Sequence, residues 1–258
     1  MNASNPPVKP EPKTVIAAGE VRIPVVACGS RWLVVDKPCG TSIHNDPGGD
    51  LCSLVLTKVR AGGLPAVGHD VPAIHAAHRI DRDTSGIVIL AGDPETLAFF
   101  GGQFAAKAVH KQYLAVVHGH LGGQHTDQDQ GWIDWIWPLT AAAAGRSDPM
   151  GKGKRMPCTT RWRTLAHSLH YSLVECEPLT GRKHQIRRHA KLAGHPVAGD
   201  RRYGSTRSLV YLRRHHHFNR LGLHAHALNL RLPGDAGTTT FQSGGLPEAM
   251  RQLLEMDR

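Results

Sequence analysis

Apolar and polar positions along the chain fall into a regular pattern only from about Val21. Residues 1–20, rich in Pro and Lys, show no periodicity and predict a flexible tail. Trp32-Leu33-Val34-Val35 reads as a strand, closed by the turn residues Asp36-Lys37-Pro38-Cys39-Gly40. Leu51, Leu54, Val55 and Val59 share one face of a helix that Asp50 can cap. A loop through Gly62, Gly63 and Gly68 leads to a polar stretch and then to Ile87-Val88-Ile89-Leu90-Ala91, a buried strand. Asp93 with Pro94 predicts an N-cap and a first helical position, with Leu97, Phe100 and Phe104 turned inward. Lys111–Val117 is again a strand.

Between Gly119 and Pro157 the pattern dissolves. Trp132, Trp135 and Trp137, the run Ala141–Ala144 and the basic Gly151-Lys152-Gly153-Lys154-Arg155 predict a long excursion with little regular structure and locally packed tryptophans. Such a segment is functional or disordered, and contact with RNA is one role open to it. Cys158–Leu165 and Tyr171–Cys176 predict a strand pair. A helix from Lys183 to Ala193, closed by Gly194, follows. In it Lys183, Arg187 and Lys191 share one face, and Ile186, Ala190 and Ala193 another. Leu221, Leu223, Ala225 and Ala227 alternate before the apolar set shifts to Leu228, Leu230 and Leu232, which fits a bulged strand. Pro247–Met256 reads as a short amphipathic helix. Strands and helices in this irregular order predict an α+β fold with a mixed, largely antiparallel sheet.

The 258 residues suffice for one domain or two small ones. No apolar run approaches the ~20 residues that cross a bilayer. Met1–Glu20 lacks the apolar core of a signal peptide, and five scattered cysteines form no C-x-x-C pair, so a cytoplasmic protein with reduced thiols is expected. Lys and Arg number 31 against 21 Asp and Glu, a formal charge of +10 that suits a nucleic-acid partner.

Three clusters could carry chemistry. His78-Arg79-Ile80-Asp81-Arg82-Asp83-Thr84-Ser85-Gly86 places two carboxylates among two arginines just ahead of a buried strand. A core gains nothing from such charges, whereas a loop on a rigid strand is a usual seat for chemistry. Arg182 and Lys183 fall in the first turn of the predicted helix, where the dipole disfavours cations unless an anion is near, either RNA phosphate or a carboxylate. His215-His216-His217 lacks the spacing of zinc ligands and reads as a basic loop near RNA.

The His78–Gly86 block resembles the H-R-L-D-x-x-T-S-G signature of the RluA family of RNA pseudouridine synthases. Companion blocks occur in the family's order: Val35-Asp36-Lys37-Pro38-x-Gly40, with Asp36 where Asn is usual; Lys111-x-Tyr113; Leu179–Arg187; Gly194-His195-Pro196; Gly199-Asp200-x-x-Tyr203-Gly204; and Leu223-His224-Ala225. The resemblance spans roughly residues 30 to 233. It implies a catalytic domain over residues 21–258 with a central cleft and no S4-type module. It also implies isomerisation of a uridine in RNA without cofactor or metal, by a monomer that needs no membrane. Asp81 would be the catalytic carboxylate, attacking C1′ or taking the C2′ proton; Arg187 would be its guanidinium partner; Tyr113 would stack on the flipped base. Ser85 and Gly86 would shape the turn. Arg79 would fill the space the base vacates, and Arg82, Arg182 and Lys183 would hold RNA. Residues 180–189 with His216-His217-Phe218 resemble the tRNA-modifying TruC-like branch, which favours tRNA over ribosomal RNA. The competing readings are a catalytically silent RNA-binding protein of the same fold and a two-carboxylate hydrolase using Asp81 and Asp83.

Overall fold

Ile16 and Ile23 are both buried and face each other across the first hairpin, so the chain is already folded before Val21. The computed structural model describes residues 14–44, 46–122 and 131–258. Strand β1 (Val15–Ala18) pairs antiparallel with β2 (Val21–Gly29), which places a strand inside the expected tail; residues 1–13 lie outside the described residues. Two compact units are present. One comprises Met1–His110 with Ala225–Ser243, the other Lys111–His224 with Gly244–Arg258.

In the first unit β3 (Trp32–Lys37), β4 (His75–Ala76) and β5 (Ser85–Ala91) join the opening hairpin, with β12 (Leu223–Arg231) and β13 (Thr238–Gln242) returning from late in the chain. The order is β1-β2-β3-β5-β12-β13, and β4 pairs with the end of β5. Helix α1 (Leu51–Arg60) starts at Asp50, whose carboxylate accepts the Ser53 N–H, and buries Leu51, Val55 and Val59. Helix α2 (Pro94–Ala105) starts likewise at Asp93, and of its apolar residues Phe100 is the one fully buried. Trp32, Val34, Ile87, Ile89, Phe100, Leu228 and Phe241 form this unit's core. The shift of parity in β12 has a simpler cause than a bulge on the β13 side. That pairing runs unbroken from Ala227 to Arg231, and residues on both faces of the strand are buried.

The second unit is built on β6 (His110–His118), β7 (Ile133–Trp135), β10 (Thr160–His167) and β11 (Tyr171–Pro178), antiparallel in the order β6-β11-β10-β7. The excursion is therefore more regular than its sequence suggests. It contributes β7 to the sheet and, through β8 (Leu139–Thr140) and β9 (Arg155–Met156), a small ribbon of its own; residues 123–130 lie outside the described residues. Trp135 is buried and stacked on Trp162, the local packing expected of it. Helix α3 (Gln185–Leu192) begins two residues later than expected, after a left-handed His184, so Arg182 and Lys183 precede its first turn rather than occupy it. Its faces are not split as predicted either: Gln185 through Ala190 are all buried, Arg187 and Arg188 included. Helix α4 (Thr206–His216) runs through the supposed histidine loop, with His217 as its left-handed cap. Helix α5 (Glu248–Met256) buries Met250 and Leu253 as its spacing predicts. Among the described residues no helix is long and apolar enough to cross a membrane.

Candidate active site

The charged loop of the first unit hangs between β4 and β5. Ile80 and Thr84 are buried and anchor it, Asp81 is half-buried, and Arg79 and Arg82 are exposed. Apolar anchors at 80 and 84 leave the intervening charges at the surface, where their hydration is retained. The turn after β3 clamps the loop's main chain. Lys37, fully buried, donates from Nζ to the carbonyls of Pro38, Thr41 and Arg82, each at 2.9 Å. Gly40 N–H donates to Arg82 O at 2.9 Å, Arg82 Nε to Gly40 O at 2.7 Å, and the Cys39 thiol to Asp83 O at 2.9 Å. With Asp36 in place of the usual Asn, this turn still forms.

Two further features fix the loop's exit. His78 Nε2 accepts the N–H of Ile89 at 3.2 Å, so that nitrogen carries no proton, and the ring stacks on Phe104. Ser85 and Gly86 open strand β5 rather than shaping the turn. Gly86 has φ +121°, and a Cβ there would meet the main chain of Ala225 at 2.2 Å, so the block's glycine is required by close approach of two strands. Beside the loop lies an open pocket of about 450 Å³ lined by Ser42, His44, Asp46, Arg79, Ile80 and Arg82.

The second unit holds the other predicted site residues. Tyr113 sits on β6 opposite Cys176 and packs, half-buried, against the core that includes Ile186. Arg187 is buried on α3, and its bidentate partner in this unit is Asp200: Nε donates to Oδ2 at 2.7 Å and Nη2 to Oδ1 at 2.9 Å. Asp200 also accepts the N–H groups of Arg202 and Tyr203. Burial on its own would raise the Asp200 carboxyl, but Arg187 and those two N–H groups outweigh it and hold the carboxyl below its ordinary range. Within this unit, two of the nitrogens of the Arg187 fork are thus engaged by Asp200. The Arg187 guanidinium also lies 5.3 Å from the centre of the Tyr203 ring. Gln185 organises the preceding turn: it accepts from Thr180 Oγ1 and Arg182 N–H, and donates to Thr159 O and Thr160 Oγ1. This accounts for the Thr and Gln of the Thr180–Arg187 block.

Arg79, Asp81 and Arg82 therefore share one loop of the first unit, while Tyr113, Arg182, Lys183 and Arg187 belong to the second. Residues 31–192 match the family model for RNA pseudouridylate synthases. The chain belongs to the RNA pseudouridylate synthase family. It is 35% identical over 200 residues to the ribosomal large subunit pseudouridine synthase C of Vibrio vulnificus, which covers 75% of this chain and 56% of that protein. It is 33% identical over 229 residues to an uncharacterized RNA pseudouridine synthase, YlyB, of Bacillus subtilis, covering 86% of this chain and 69% of that one. The chain thus spans between about half and two thirds of the length of these relatives. Human RNA pseudouridylate synthase domain containing 4 shares the fold, with a TM-score of 0.66 at 22% identity over 88% of this chain and 90% of that one. Human RNA pseudouridylate synthase domain containing 1 does so with a TM-score of 0.61 at 23% identity over 90% and 93%. An α+β fold is common to all three.

Within this family frame, three residues stand out that sequence reasoning left without a role. Asp200 holds Arg187. Lys37 holds the loop from beneath. Among the described residues Arg188, fully buried, donates only to oxygens of main chain and a hydroxyl. The signal for Asp200 was its place in the Gly199-Asp200 block; nothing in the sequence pointed to Arg188.

Proposed function

We propose that this chain is an RNA pseudouridine synthase, converting a uridine in structured RNA to pseudouridine, with Asp81 as the reacting carboxylate. The observation that carries the reading is the main-chain clamp on residues 82 and 83. It presents a half-buried carboxylate on a loop that cannot drift, beside two exposed guanidiniums. An ionised Asp81 either attacks C1′ or takes the C2′ proton; both routes break the N-glycosidic bond and let the base turn. Re-joining through C5 forms a carbon–carbon bond and expels the C5 hydrogen as a proton.

Arg187, fixed by Asp200, supplies a cation that favours the charged states of the reaction, and Tyr113 offers a ring against the extruded base. Stacking of that kind contributes about 1–3 kcal/mol. Arg79 fills the gap left by the flipped nucleotide, whose extrusion costs a few kcal/mol. The reaction needs a cytoplasmic RNA and no cofactor. Relatives named for the large ribosomal subunit favour ribosomal RNA as substrate; the likeness of residues 180–189 to the TruC-like branch favours tRNA. Purified protein with large-subunit ribosomal RNA and tRNA transcripts tritiated at C5 of uracil should release label to water from one of them. No release from either, or from RNA of cells lacking the gene, overturns the reading.

A further inference from the structure

The excursion is held in place by a buried cation with no carboxylate among its hydrogen-bond partners. Arg188 donates from Nε to Pro149 O at 2.6 Å, from Nη1 to the carbonyls of Thr140 (3.0 Å), Ala142 (3.3 Å) and Lys183 (3.2 Å), and from Nη2 to Thr140 Oγ1 (3.0 Å) and Met150 O (2.6 Å). Burial lowers its pKa and outweighs the charge of Asp148, which acts the other way. Arg202 adds a second tie, Nε to Ala144 O at 2.7 Å. Segment 140–150 is therefore fixed although it has almost no regular structure, and the same guanidinium holds the carbonyl of Lys183.

Beyond this anchor the segment turns cationic. Arg146, Lys152, Lys154 and Arg155 are exposed, with Asp148 as the one acid between residues 140 and 156. Its contact with Arg155 is a loose 3.9 Å between exposed groups, which neutralises little. Next to Lys183, Arg182 keeps a buried Nε with no hydrogen-bond partner among the described residues. Cations gathered on a pre-ordered main chain lose little entropy when they meet a row of fixed negative charges.

We propose that residues 146–155, with Arg182 and Lys183, form a preorganised track for the phosphate backbone of RNA. The proposal rests on the reading of this chain as an RNA enzyme. The test compares the triple variant Lys152→Gln, Lys154→Gln, Arg155→Gln with a charge-matched control, Arg22→Gln, Arg60→Gln, Lys107→Gln, all six being exposed. Affinity for an unmodified large-subunit ribosomal RNA transcript is measured against salt in an Asp81→Asn background, so that binding is read without turnover. The track variant should bind about tenfold more weakly at low salt, and its log–log salt slope should flatten by about 2 to 3. The control should shift less than threefold. With Asp81 restored, the track variant should raise KM about tenfold while kcat falls less than threefold. An unchanged salt slope, or an equal loss in the control, overturns the track. Failure of the wild type to release tritium overturns the enzymatic reading instead, and the binding comparison still decides the track.

Discussion

In the loop at residues 78–84 the main chain is held and the charged side chains reach the surface, whereas in α3 the charged side chains are themselves buried and held. Lys37 and Gly40 grip the carbonyl of Arg82 from below, and Arg79 and Arg82 stay exposed above it. On α3, Arg187 is locked to Asp200 and Arg188 to a cage of oxygens. The first arrangement keeps charge available to a partner. The second spends hydrogen bonds to place one cation with little freedom, and a broken link there leaves a charge stranded in the interior.

The contrast can be tested at decreasing size of effect. Asp81→Asn removes the carboxylate from a loop whose clamp is main chain, so pseudouridine formation should drop by about 10³-fold or more, with RNA affinity and melting temperature retained. Appreciable turnover by this variant would remove Asp81 from its role. Asp200→Ala removes the bidentate carboxylate from the buried Arg187 and should cost about 3–5 kcal/mol of stability, read as a fall in urea midpoint; a variant as stable as wild type would mean the pair is dispensable.

His189, buried between Thr160 and the carbonyl of Trp137, has its pKa pushed down to about 4 by burial. The folded state refuses a proton that the unfolded chain accepts below about 6.5. Stability should therefore decline as pH falls from about 6.5 to 4, with this residue contributing up to about 3 kcal/mol. Paired melts of wild type and His189→Gln across that range should show a shallower decline in the variant; parallel curves would contradict it. Smallest is Cys39→Ala, which deletes one weak donor to the loop and should cost about 0.5 kcal/mol. A large loss of stability there would mean the thiol carries more of the clamp than its single bond suggests.

Much of this was legible in the sequence because the signals are local. Asp50 and Asp93 cap the helices they precede, and the strands at residues 32–37, 85–91 and 110–118 follow their apolar runs. Helix α4 gave no such signal, since Leu212 alone among its residues is buried. The start of α3 depended on a left-handed His184, a conformation no spacing reveals. The burial of Arg187 and Arg188 depends on acceptors 13 and about 40 residues away in sequence, which only the folded chain brings within reach. The block Thr180–Arg187 was readable as a motif and its basic residues pointed to a nearby anion, but charge type says nothing about which oxygens will surround each of them.

The carbonyl of Arg82 receives both the Lys37 ammonium and the Gly40 amide, so both of its lone pairs are occupied. A peptide flip at that bond would orphan two donors at once, at a cost of about 1–3 kcal/mol for each. Because the Arg82 side chain is itself tied through Nε to Gly40 O at 2.7 Å, side-chain adjustment in this loop falls first to the χ angles of Arg79, while the backbone beneath stands still.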